Sequence, residues 1–127
     1  MNDNKYIHEL HAEHKAWLEE LSFASDEIRT YENRLSELLR ANTKSEVTSK
    51  AEHFQNQFIR HQEVIDELIH DIREDEHRIA EEAKANNIAT DHRRTQDHAG
   101  LRDRMDTFAK IFAELKQDFA AYLAAAL

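Results

Sequence analysis

The chain has no cysteine, no proline and a single glycine, Gly100. Without cysteine there is neither a disulfide framework nor a thiolate metal site, and a reducing cytoplasm fits. Turns in sheet proteins draw heavily on glycine and proline, so their scarcity excludes a β-rich fold. Positive charge is also short: 17 Lys and Arg stand against 26 Asp and Glu, a net charge of −9. Phosphate backbones and anionic membrane surfaces are bound by positive surfaces, so nucleic acid and charge-driven membrane binding are excluded as partners. Long apolar runs are missing too. The strongest, residues 119–127, is too short to span a bilayer. The opening Met1-Asn2-Asp3-Asn4 has no basic stretch ahead of an apolar one, so no signal peptide is expected. There is no glycine-rich phosphate loop and no nucleophile elbow. The chain therefore reads as non-catalytic, with metal chemistry the only route left to an enzyme.

What remains is a composition of good helix formers, chiefly Ala, Leu, Glu, Lys, Gln and Arg. Three apolar series repeat at the alternating three- and four-residue spacing of a coiled-coil seam. The first runs from Ile7 and Leu10 through His14, Trp17, Leu21, Ala24, Ile28, Tyr31 and Leu35 to Leu38. The second runs from Val47 through Phe54, Phe58, His61, Ile65, Leu68, Ile72 and Asp75 to Ile79. The third runs from His98 through Leu101, Met105, Phe108, Phe112, Leu115 and Phe119 to Tyr122. Between them stand stop and start signals. Asn42 can end a helix in the left-handed conformation. Thr43 and Glu46 form a capping box. Asn86 and Asn87 interrupt the second series, and Asn87 or Thr90 can cap the third.

These signals predict helices over roughly 4–41, 44–84 and 90–125. The expectation is an all-α, up-down-up antiparallel bundle of three long helices, with residues 1–127 as one domain. Folding back at both breaks runs the third helix parallel to the first, displaced by about 88 residues. All three helices then start and stop together, which nothing in the composition required.

Nine histidines are present. The same folding-back places His8, His11, His14, His70, His77, His92 and His98 in one third of the bundle, at the end holding the N-terminus and the second loop. Glu9, Glu13, Asp71, Glu74, Asp75, Asp91 and Asp97 fall there too. His14, Asp75 and His98 occupy seam positions, one on each helix. Imidazole and carboxylate groups converging from different helices are how bundles build internal metal sites. The candidate ligands are His14, Asp75 and His98, with His11 and Asp71 next. The donor set suits Zn, Fe, Mn, Ni or Cu. One obstacle is an axial offset of about 6 Å between His14 and His98, four residues of helical rise. Gly100 is expected to help by admitting a close approach or a helix irregularity. The competing reading is a structural polar layer that fixes register, with Asp75 paired to Arg94 or to protonated His98.

His61, mid-bundle and opposite Ala24, is expected to be buried and bonded to Ser22, Ser25 or a backbone carbonyl. His53 is expected at the surface. Some motifs fall short. His8-Glu9-Leu10-His11 lacks the histidine a zinc-protease helix needs at position 12, which is Ala. Glu67-x-x-His70 and Glu74-x-x-His77 have di-iron spacing, but both sit on one helix and cannot enclose one metal pair.

Function reads first as a non-catalytic helical-bundle protein acting through self-association or contact with another protein. From Phe108 onward the third helix is apolar on more than one side, suggesting a homodimer through its distal half. The alternative is a metal-binding bundle with its site at the histidine-rich end. A third reading uses the same histidines as a pH sensor.

Overall fold

An apolar residue every third or fourth position has one economical solution, a helix that buries one stripe. The computed structural model describes the backbone of residues 2–42, 44–85 and 91–126, and the side chains of 7–42, 44–84 and 97–126. It comprises α1 (Asn2–Ala41), α2 (Ser45–Ala85) and α3 (Asp91–Ala126). No strand occurs among the described residues. The helix ends lie within two residues of the sequence expectation. Asn42 N–H donates to the Leu38 carbonyl at 3.0 Å and closes α1. Thr48 N–H donates to the Lys44 carbonyl at 3.1 Å and opens α2. The expected caps Thr43, Asn87 and Thr90, with Asn86, lie outside the described residues, as do the side chains of His92 and Arg94.

The helices pack up-down-up. Across α1 and α3, Glu13 meets Arg102 and Glu27 meets Lys116, each pair 89 residues apart in sequence. That offset is the parallel displacement foreseen from the two breaks. Of the seam residues, Trp17, Leu21, Ile28, Leu35, Phe54, Phe58, Ile65, Leu68, Met105, Phe108, Phe112 and Leu115 are buried, while Ile7, Tyr31 and Val47 are half-buried. Toward the first turn the core becomes aromatic. Phe58 and Phe119 pack edge to face at 5.0 Å, with Tyr31 and Phe54 against them. Tyr122 O–H donates to the Val47 carbonyl at 2.7 Å, so this buried phenol keeps a partner.

Two expectations need correction. Gly100 admits no close approach: a Cβ built there would meet nothing within 4 Å, and α3 runs through it as continuous helix. The surplus apolar stripe on α3 is also thinner than it looked. Phe112, Leu115, Phe119 and Tyr122 all turn into the single core seam. What remains outside is Ile111, half-buried Leu123 and alanines. Among the described residues, no helix is long and apolar enough to cross a membrane.

Candidate metal centre

His14, Asp75 and His98 interrupt their seams where an apolar residue belongs, so the packing that buries the seams buries them as well. They are 1%, 4% and 2% exposed. Leu10 and Ile79 lie toward the bundle end and Leu101 toward its middle, all buried, so the polar group is enclosed along the axis. Burying a carboxylate among apolar side chains is costly unless it is paired and hydrogen-bonded. The three side chains meet that need together. His14 Nε2 donates to Asp75 Oδ2 at 2.9 Å, and His98 Nδ1 lies 3.7 Å from the same oxygen. One ligand atom from each residue can be chosen so that all three lie within 4.8 Å of one another.

The axial offset does not keep them apart: the two imidazole centroids are 5.1 Å from each other. The offset separates backbones, and each imidazole reaches far enough from its backbone to close it; the lean of helical side chains toward the N-terminus of their own helix adds the approach of Asp75 to His14. His14 and His98, on parallel helices, lean toward the chain-start end. Asp75, on the antiparallel helix, leans inward to meet His14.

Each imidazole has a second carboxylate on its outer side. His98 Nε2 hydrogen-bonds Glu13 Oε1. His14 Nδ1 lies 3.4 Å from Glu76 Oε1. These outer carboxylates are themselves held. Arg102 donates to Glu13 through two nitrogens at 2.8 and 3.1 Å. His11 Nδ1 bonds Glu76 at 2.7 Å. Trp17 closes the inner side, its ring stacked on His98 at 4.9 Å.

The charges shape the titration of the group. The hydrogen bond from Arg102 pulls the Glu13 carboxyl down from 4.5 to about 2; burial opposes this, and His98 adds to it. Burial pushes the His98 imidazolium down, but its contacts with Asp75 and Glu13 outweigh that and raise it above 6.5.

The secondary candidates sit elsewhere. His11 is exposed and points to Glu76 rather than to the buried trio. Asp71 pairs with Arg104 at 2.8 Å. Asp71 belongs instead to a surface group with His70 and Glu74, in which His70 Nε2 is 3.3 Å from Glu74. His61 is buried and bonds the Gln57 carbonyl at 2.8 Å, one of the partners expected for it. Ser25 bonds Gln62 instead. His53 is exposed. Glu76 escaped sequence reasoning, and Glu13 was only one acid among many. Their one signal was adjacency in the chain to His14 and Asp75.

No protein-family model, no curated protein and no solved structure matches this chain.

Proposed function

We propose that this chain is a metal-binding helical bundle whose ion is held by His14, Asp75 and His98. The observation that carries the reading is the convergence of two buried imidazoles on one oxygen of Asp75, each ring with a further carboxylate on its outer side. Each aims one nitrogen inward toward Asp75 and the other outward toward a carboxylate, Glu76 for His14 and Glu13 for His98. Metal-ligating histidines characteristically give their second nitrogen to such a partner, which fixes ring orientation and raises ligand basicity. A structural polar layer would use the same outer contacts to satisfy the buried ring nitrogens, and what the metal reading adds is three ligand-type side chains from three helices converging on one point. The spacing supports the same reading. Tetrahedral ligands at about 2.0–2.1 Å from an ion stand about 3.3 Å apart. The 2.9 and 3.7 Å separations from Asp75 straddle that value. Two imidazoles and a carboxylate without thiolate suit Zn or Fe(II) ahead of softer ions.

The test uses tag-free protein stripped with chelator and titrated with Zn²⁺ by calorimetry. One ion per chain is expected, with a rise in Tm, because a ligand confined to the folded state stabilises it. His98→Ala should abolish stoichiometric binding and His53→Ala should leave it intact. Equal loss in both variants, or no thermal shift with Zn, Fe, Mn, Ni or Cu, overturns the proposal in favour of a structural layer.

A second reading, self-association, draws support from Phe23, Ile59 and Ile111, which stay 70%, 54% and 46% exposed. Aromatic and branched side chains left in water favour a contact that removes them. A dimer in sedimentation velocity that Phe23→Ser and Ile111→Ser dissociate supports it. A 15.0 kDa particle at micromolar concentration removes it.

A further inference from the structure

Where α1 and α3 run side by side, ion pairs cross between them like rungs. Glu13 meets Arg102 at 2.8 Å and Glu27 meets Lys116 at 3.3 Å, each pair 89 residues apart in sequence. Charged pairs at the edges of a helical seam set which helices associate and in what orientation. The rung midway is missing. Glu20 lies seven residues from each of the two acids, and at the same offset of 89 it faces Ala109 instead of a cation. Glu20 is exposed and has no ion pair among the described residues.

At the missing rung the surface opens into a groove of about 340 Å³, lined on α3 by Phe112, Ala109 and Ala113 and on α1 by Glu20 and Phe23. Phe23 is 70% exposed, so an aromatic ring stands in water beside an apolar groove. A surface that carries both a knob and a hole is self-complementary, and a second copy across a two-fold axis satisfies both at once. The charges choose the direction of that axis. An axis lying across the helices would set α1 on α1 and bring the acidic edge of Glu20 and Glu27 against its own copy, which like charges oppose. An axis running along the helices sets α1 of one copy on α3 of the other at the same height. Lys110 then comes level with Glu20 of the second copy, within one residue of helical rise, about 1.5 Å. Lys110 is exposed and has no ion pair among the described residues. Lys116 is already engaged, with Glu27 and over the Phe112 ring at 5.0 Å.

We propose, resting on the self-association reading above, that the α1–α3 groove is the docking site for a second copy of this chain. The two copies pack in parallel, α1 of each on α3 of the other. Phe23 of each covers Ala109 and Ala113 of the other, and Glu20 of each pairs with Lys110 of the other. The second copy supplies the cation that Ala109 leaves out of the ladder. The surface is separate from the His14–Asp75–His98 group and stands or falls independently of it.

Sedimentation velocity of the full chain across micromolar concentrations reads the dimer directly. Phe23→Ser, Glu20→Lys and Lys110→Glu should each raise its dissociation constant at least tenfold. All three positions are exposed, so circular dichroism and Tm of the variants should match the unaltered protein. Ile59→Ser, at an exposed position on α2, should leave the dimer intact. The decisive sample mixes Glu20→Lys chains with Lys110→Glu chains. Each variant alone sets like charges against each other at both contacts, whereas the mixed pair restores an opposite-charge contact at both. Equimolar mixing should therefore recover a dimer that neither variant forms alone, an outcome that pairing within one chain cannot produce. Two variants that stay monomeric when mixed overturn the proposal. A dimer unmoved by Phe23→Ser and Glu20→Lys, or one that Ile59→Ser dissociates, also overturns it while leaving self-association standing through another surface. An unaltered chain that stays monomeric removes self-association and this docking site together.

Discussion

Asp75→Leu is the most informative single perturbation of the buried polar group. It removes the carboxylate shared by two enclosed imidazoles, together with the 2.9 Å hydrogen bond from His14 and the 3.7 Å charge contact with His98. Leucine fills the seam position without leaving a large hole, so the cost is electrostatic rather than steric. Removing one partner from a buried pair destabilises by about 3–5 kcal/mol. At about 2.1 cal/mol/K of unfolding entropy per residue, a chain of this length loses roughly 4 °C per kcal/mol, so Tm should fall by about 11–19 °C. The triple replacement His14→Leu, Asp75→Leu, His98→Leu should reverse the loss. No charge is stranded by it: Glu13 keeps Arg102 and Glu76 keeps His11, both at the partly exposed rim. Replacing an entire buried ionic group by apolar side chains is typically neutral or stabilising by about 1–4 kcal/mol. The measurement is thermal and urea unfolding of both variants in chelator. A single variant within 1 kcal/mol of the unaltered protein, or a triple variant less stable than the single, would refute this account of a tightly coupled group.

Three further outcomes are expected. Gly100→Ala should stabilise by about 1 kcal/mol in urea melts, since the added methyl meets open space and helix propensity improves. Phe58→Ala, at a position with no exposure, should cost about 3–5 kcal/mol and lower the urea midpoint with little change in slope. The pH dependence of chelated protein follows from two groups. Raised His98 stabilises fully below 6.5 and loses its effect as pH climbs through its higher folded value. Lowered Glu13 stabilises above 4.5 and loses its effect as pH falls toward about 2. Urea midpoints across pH 2–9 should therefore show their maximum between about 4.5 and 6.5.

The architecture was legible because three independent seams share one spacing and the breaks between them agree on length. His14, Asp75 and His98 were legible for a related reason: a titratable residue on an apolar seam stands out against its neighbours. The outer carboxylates were not. Glu13 and Glu76 lie beside the seams, where this acidic chain places charges everywhere, and only assembled helices show which of them cross to an imidazole. The His14–His98 offset misled because residue counting locates backbones, whereas ligand atoms sit at the ends of leaning side chains. Gly100 misled because scarcity suggested purpose, and its position on the solvent side of α3 gives it none that the packing reveals. The breadth of apolar residues on α3 misled in the same way, since alanine counts as apolar without demanding burial.

The core is not uniform along its length. Near the first turn, Tyr31, Phe54, Phe58, Phe119 and Tyr122 interlock from all three helices, while the opposite end depends on His14, Asp75 and His98. Stability in such a rod is graded: the aromatic end should open only with global unfolding, and the polar end should fray in smaller excursions. The short connection between α1 and α2 also lies at the aromatic end, so contacts that close cheaply and contacts that hold firmly coincide there. Folding can start at that end and zip toward the histidines, which come together only when the start of α1, the end of α2 and the start of α3 are in place. Whatever binds His14, Asp75 and His98 would act as a latch on the final stage of assembly, and its release would loosen one end of the rod while the other stayed closed.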